Sequence, residues 1–196
     1  MLFQLPNSEI TKDRETRRIG TVGRPLKYQA VEIVNEAGAA LPPGATGEIE
    51  TGGPQHAFGY LVPDGSIELM PARIRSGDIG FIDPDGYLHV TGRAKDLIIR
   101  GGVNISPMEI DGVLHDHPAV AEACTLGIPD PIWGEEVVAF VALKPGNTCA
   151  AADILAHCAA KLPEFKTPKQ IRFRDVLPKT SRGKLDRIAL AGEWKR

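Results

Sequence analysis

Little in this sequence points to a membrane, an oxidising compartment or a charged polymer. Cysteine is scarce: Cys124, Cys149 and Cys158 are the only three in 196 residues, too few and too widely spaced for a disulfide framework or a metal-binding CxxC pair. A reducing compartment is the simplest home, and the expected location is cytoplasmic. Net charge is nearly absent, −2 from 23 basic and 25 acidic residues, so no overall field draws the chain to nucleic acid or an anionic membrane. Long apolar runs are missing too. The strongest, Val137 to Leu143, is far short of the ~20 residues of a membrane-spanning helix. Met1 to Ile10 lacks a basic stretch followed by an apolar one, so no secretory leader is expected. Of the histidines, only His115 and His117 are close together, at a predicted helix end before Pro118, where capping or exposure suits them better than a metal. No metal ligand is assigned.

What is present suits a folded core: 42% hydrophobic and 24% charged residues lie near the average for globular domains. From Gly20 to Gly92, glycine and proline interrupt short alternating runs at Tyr28–Val34, Glu48–Thr51, Ile67–Met70 and Tyr87–Thr91, which read as short strands joined by turns. After Arg93 the texture changes. Leu97-Ile98-Ile99 reads as a buried strand, and Ser106-Pro107-Met108-Glu109 as a helix start with a capping box. Strands are expected at Ala121–Ile128, Glu136–Lys144 and Gln170–Asp175, and helices at Ala150–Leu162 and Leu185–Trp194. The fold class is therefore α+β: a β-rich, barrel-like part over 1–92 and a small mixed α+β domain over 93–196, with the boundary near Gly92 to Asp96.

Three segments are able to carry chemistry. Pro178-Lys179-Thr180-Ser181-Arg182-Gly183-Lys184 puts a lysine on a small polar turn, able to deliver a point charge to a phosphate; an exposed basic loop is the plainer alternative. Ser76-Gly77-Asp78 offers a carboxylate to two neighbouring hydroxyls, or simply a turn residue. Gly92-Arg93-Ala94-Lys95-Asp96 runs on to Arg100-Gly101-Gly102. There Arg93 can fork onto a ribose or phosphate and the glycines can admit a thin ligand, or the segment is a linker with a turn.

Gly47-Glu48 with Gly59-Tyr60, Ser76-Gly77-Asp78, Gly92 to Asp96, Leu162-Pro163-Glu164-Phe165-Lys166 and Gly183-Lys184-Leu185-Asp186-Arg187 stand in the order found in the adenylate-forming superfamily. The chain resembles the C-terminal portion of an AMP-forming acyl-CoA synthetase. The resemblance implies that 1–92 end the large AMP-binding domain and that 93–196 form the mobile C-terminal domain. Asp78 would then hold the ribose hydroxyls of AMP or ATP, with Arg93 assisting. Lys184 would bridge the substrate carboxylate and α-phosphate, Lys95 would be the hinge, and Gly102 would line the pantetheine channel. Trp133, Phe165 and Lys169 would touch the CoA nucleotide. The implied substrates are a carboxylic or fatty acid, ATP with Mg2+, and CoA. A lysine acetyltransferase acting at Lys184 is a further implied partner, because acetylation deletes that charge.

Two departures stand out. Ile74 and Ser76 replace residues that are aromatic and Thr in many relatives, and neither the Ser/Thr/Gly-rich phosphate loop nor the Tyr-Gly-x-Thr-Glu segment with the magnesium-holding Glu is found. The isolated chain is therefore expected to be inactive. Two alternatives remain: an adenylation domain that loads a carrier protein, and a non-catalytic truncated fragment. Trp133-Gly134-Glu135 and Phe165-Lys166-Thr167-Pro168 read more like the CoA-forming branch.

Overall fold

The computed structural model describes residues 3–4 and 20–194; most of Met1 to Ile10, where a leader was sought, lies outside them. The chain divides into two compact units, Met1–Lys95 and Asp96–Arg196.

The first unit is built of strands: β1 (Phe3–Gln4), β2 (Arg24–Pro25), β3 (Ala30–Val34), β4 (Gly47–Gly52), β5 (Gly59–Leu61), β6 (Ile67–Leu69), β7 (Arg73–Ile82) and β8 (Leu88–Arg93). Strands β3, β4, β7 and β8 form one antiparallel sheet in that order, and β5 and β6 a separate hairpin. Alternation sorts the two faces. Ile33, Ile49 and Leu88 are buried with Val31, Leu41, Ile82 and Val90 against them, while Glu32 and Glu50 share Arg73 on the opposite, exposed face. The strand-rich part expected from the sequence is present, but among the described residues it forms no closed barrel: the sheet stays open and the β5–β6 hairpin does not join it.

In the second unit β9 (Ile98–Arg100), β10 (Val103–Ile105), β11 (Val120–Asp130), β12 (Gly134–Leu143) and β13 (Gln170–Phe173) form one sheet, with helices α1 (Pro107–His115), α2 (Ala151–Ala159) and α3 (Arg187–Trp194). Strand β12 is central. It runs antiparallel to β11 along one edge, and along the other meets β9 at Gly134 and β13, in parallel, from Val138 to Val141. Its apolar run is buried on both faces, as an all-apolar strand requires. Val137, Ala139 and Val141 pack with Ile110 and Leu114 of α1 and Ile154 and Cys158 of α2. Val138, Phe140 and Ala142 pack with Leu190 and Trp194 of α3, and Phe140 meets Trp194 edge-to-face at 5.1 Å between ring centroids. Each such fully buried Val, Leu or Phe contributes about 1.5–3 kcal/mol, so the strand holds both helical layers to itself.

Ser106 precedes α1 in extended backbone with Pro107 in the first turn, but the expected capping box does not form: Ser106 makes no side-chain cap bond, and Glu109 instead reaches Lys166 at 2.7 Å. No helix among the described residues is long and apolar enough to cross a membrane.

Candidate functional site

Asp78 owes its position to a bulge. On β4, Glu48 pairs with Ile79 and Glu50 with Arg75, which leaves Ile49 alone opposite Ser76-Gly77-Asp78. Gly77 takes the left-handed conformation, φ +73°, which a side chain adopts only with strain. Ser76 Oγ ties the bulge down, donating to Ile49 O at 2.8 Å and accepting Asp78 N–H at 3.0 Å. Strand β7 then resumes, and Asp78 faces Arg93 on β8, where Arg93 Nε donates to Asp78 Oδ1 at 2.8 Å. Both side chains are partly open to solvent. The carboxylate has about four acceptor positions, so one ion pair leaves room for two vicinal hydroxyls.

The turn Gly101–Gly102 joins β9 to β10, with Arg100 and Val103 paired across it. Both glycines have positive φ, +57° and +82°, as a two-residue hairpin of the primed type requires. A Cβ on Gly101 would meet the Trp133 ring at 3.1 Å, whereas one on Gly102 would meet nothing within 4 Å. Trp133 in turn lies under the Arg100 guanidinium, 5.0 Å from ring centroid to Cζ. Arg100 forks onto Glu136 at 2.8 and 3.2 Å, and Lys169 Nζ stands 3.6 Å from the same carboxylate. Burial opposes the charge of Glu136, but the Arg100 fork, the Val137 N–H and Lys169 outweigh it and hold the carboxyl below its ordinary range. Two predicted residues, Trp133 and Lys169, thus meet a pair that sequence reasoning missed, and Gly102 lies in the turn that follows Arg100. The only signal was an acid, Glu136, opening an apolar strand. Phe165 stands apart, exposed on the short 3₁₀ turn Glu164–Lys166.

Lys184 sits on a closed turn. Thr180 N donates to Lys184 O at 2.7 Å, Gly183 N to Thr180 O at 2.8 Å and Asp186 N to Pro178 O at 2.9 Å, and Lys179 bridges Leu185. Leu185 packs on the α3 side of the core. Each other described lysine of the second unit is engaged: Lys144 with Pro118 O, Lys161 with Asp116, Lys166 with Glu109, Lys169 with Glu136 and Lys179 with Glu122. The Lys184 side chain alone of these has no hydrogen-bond or ion-pair partner among the described residues, and it is exposed.

Beneath that turn lies a second missed pair. Asp111, on α1 and only 9% exposed, accepts Thr125 N–H at Oδ1 (2.6 Å) and Arg187 Nη2 at Oδ2 (2.6 Å). Arg187 also donates to Thr125 O. Burial pushes the Asp111 carboxyl up despite Arg187 beside it. The guanidinium of Arg187 is held above its ordinary value, burial opposing and the charge of Asp111 prevailing. Breaking such a pair from one side costs about 3 kcal/mol. The sequence signal was an acid at helical spacing from Leu114 on the buried stripe.

Lys95 is exposed on the 3₁₀ turn Ala94–Asp96, and the chain divides directly after it. Among the described residues no three His, Cys, Asp or Glu side chains converge to hold a metal ion. They offer magnesium no carboxylate set.

The first unit is thus strand-rich with a partly exposed carboxylate–guanidinium pair, and the second is an α+β unit with a solvent-facing lysine on a braced turn. Residues 3–61 match the family model for AMP-binding enzymes and residues 109–184 that for the AMP-binding enzyme C-terminal domain; the chain belongs to the adenylate-forming enzyme family and spans part of such an enzyme. It is 42% identical over 181 residues to a sulfoacetate–CoA ligase of Cupriavidus necator, covering 91% of this chain and 35% of that protein. Among solved structures, an amide bond synthetase of Marinactinospora thermotolerans superposes with TM-score 0.81 at 32% identity, covering 91% of this chain and 37% of that one. An o-succinylbenzoate CoA synthetase of Bacillus subtilis, in complex with ATP and magnesium ion, gives TM-score 0.77 at 33% identity over 88% and 36%. The chain spans about a third of the length of the curated relatives it matches.

Proposed function

We propose that this chain is the C-terminal part of an ATP-dependent, AMP-forming acid–CoA ligase, joining a carboxylic acid to CoA with release of AMP and pyrophosphate. Residues 1–92 then supply the end of the large AMP-binding domain and 93–196 the mobile domain that turns at Lys95. The observation that carries the reading is Lys184, the one described lysine of its unit left unpaired. In the first half-reaction a carboxylate oxygen attacks the α-phosphorus and pyrophosphate leaves. Two anions approach, and a preorganised ammonium offsets their repulsion as the transition state forms. Asp78 accepts the ribose hydroxyls, with Arg93 steadying its carboxylate. In the second half-reaction the CoA sulfur attacks the acyl carbonyl and AMP leaves. Gly102 keeps the pantetheine path clear, and Trp133, Lys169 and Phe165 serve the CoA nucleotide. Magnesium would supply neutralisation of phosphate charge, and the described residues include no carboxylate set that would hold it. Because Lys184 is exposed, its acetylation would silence the first step.

The test is Lys184→Ala in the full-length ligase. Acid-dependent pyrophosphate release should fall about 10²- to 10³-fold, as for loss of an oxyanion-type donor, while thioester formation from supplied acyl-AMP and CoA survives. Loss of both steps together in a folded protein removes the assignment. Offering an amine in place of CoA to acyl-AMP checks the acceptor, since amide formation in preference to thioester would place the enzyme with the amide bond synthetase.

A further inference from the structure

We propose that Asp111 and Arg187 are positioning residues for Lys184, holding the turn that carries it against the edge of β11. The proposal rests on the role given to Lys184 above. Strand β11 ends the sheet order β10-β9-β12-β11, so its outer edge presents backbone groups without a neighbouring strand. At Thr125 two side chains take the place of that strand: Asp111 accepts the N–H and Arg187 donates to the C=O, and the two close on each other. Arg187 opens α3 three residues after Lys184. The arm before the turn is tied to the same strand, Lys179 Nζ to Glu122 Oε1 at 2.5 Å. Two ties on one strand, at Glu122 and Thr125, therefore bracket the Lys184 turn.

Packing does not do this by itself. Leu190 and Trp194 bury α3 against the sheet, with Leu177 and Leu185 at the two ends of the arm in the same cluster; such apolar contact is non-directional and leaves the heading of the arm to the polar ties. The side chain of Lys184 has no partner among the described residues, so among them its ammonium is located only by the backbone beneath it. A displacement of about 1 Å in a group that must meet a transition state costs up to roughly a hundredfold in rate.

Asp111→Asn keeps an acceptor for Thr125 N–H and removes the charge opposite Arg187. In the full-length ligase this variant is expected to slow acyl-AMP formation about 10- to 100-fold in kcat, with KM for ATP and acid changed less than roughly twofold. Thioester formation from supplied acyl-AMP should be unchanged. In the 196-residue chain itself, amide exchange at Thr180 and Gly183 should quicken while Val138 and Phe140 stay protected. Equal loss of both half-reactions, no loss in either, or unaltered exchange at the turn overturns the proposal. Arg187→Lys retains the charge and gives up the second donor; it carries the same test should Asp111→Asn fail to fold. Lys184→Ala run alongside separates the failures. If it spares adenylation, the role of Lys184 falls; if it cripples adenylation and the Asp111 and Arg187 variants do not, only the positioning proposal falls.

Discussion

Asp78 and Arg93 are partners across β7 and β8, and Arg93 Nε donates to Asp78 Oδ1 at 2.8 Å beside a bulge that Gly77 makes available. The pair is half-open to solvent, so its own contribution to stability is at most about 1 kcal/mol. Its value lies in what the carboxylate can still accept. Asp78→Asn in the full-length ligase should leave unfolding nearly unchanged and lower kcat/KM for ATP roughly 10- to 100-fold, the worth of a hydrogen bond to a charged group. Steady-state kinetics in ATP, with urea unfolding beside it, checks both halves.

The two glycines of the β9–β10 turn should differ. Gly101→Ala meets the Trp133 ring at 3.1 Å in addition to its positive φ, whereas Gly102→Ala meets only the φ. Thermal unfolding of the chain should show Gly102→Ala less stable by about 1 kcal/mol and Gly101→Ala by more. Both should raise KM for CoA in the second half-reaction.

Glu136 gives a pH signature. Its carboxyl is held below the ordinary 4.5, so its stabilising contribution is complete above the unfolded value and is lost as pH falls through the lower folded one. Glu136→Gln should cost about 1–3 kcal/mol at neutral pH by leaving Arg100 without its charged acceptor. The gap between variant and wild type should stay constant down to about pH 4.5 and close below it. Urea titrations at stepped pH measure this directly, and a gap that widens on acidification contradicts the sign.

At Lys95, proline fixes φ near −65° and removes the N–H. If the backbone there absorbs a rotation between half-reactions, Lys95→Pro should change adenylation and thioester formation unequally. Equal loss of both in a normally folded enzyme would withdraw Lys95 as the hinge.

Much of this architecture was legible in the residues alone. The apolar run from Val137 to Leu143 lies in the strand expected at Glu136–Lys144, and β12 carries it, covered on both faces. Alternation between turn residues placed β3, β4 and β8, and the Ala-rich stripe placed α2. Other features depended on partners distant in the chain. Ser76-Gly77-Asp78 has the composition of a turn, and only its pairing with Ile49 made it a bulge inside a ten-residue strand. The capping box does not form, and Glu109 pairs instead with Lys166, 57 residues on. Asp111 and Arg187 stand 76 residues apart, and the buried Glu136 finds its fork in Arg100, 36 residues away. The sequence by itself determined the strands and helices with clear periodicity and which motifs bear charge, since periodicity and turn chemistry act over a few residues. Which of those charges are paired, and that the Lys184 side chain is left open while the other described lysines of its unit are engaged, was decided only by the tertiary structure, because an ion pair forms where the fold brings two side chains within about 4 Å, whatever their separation along the chain.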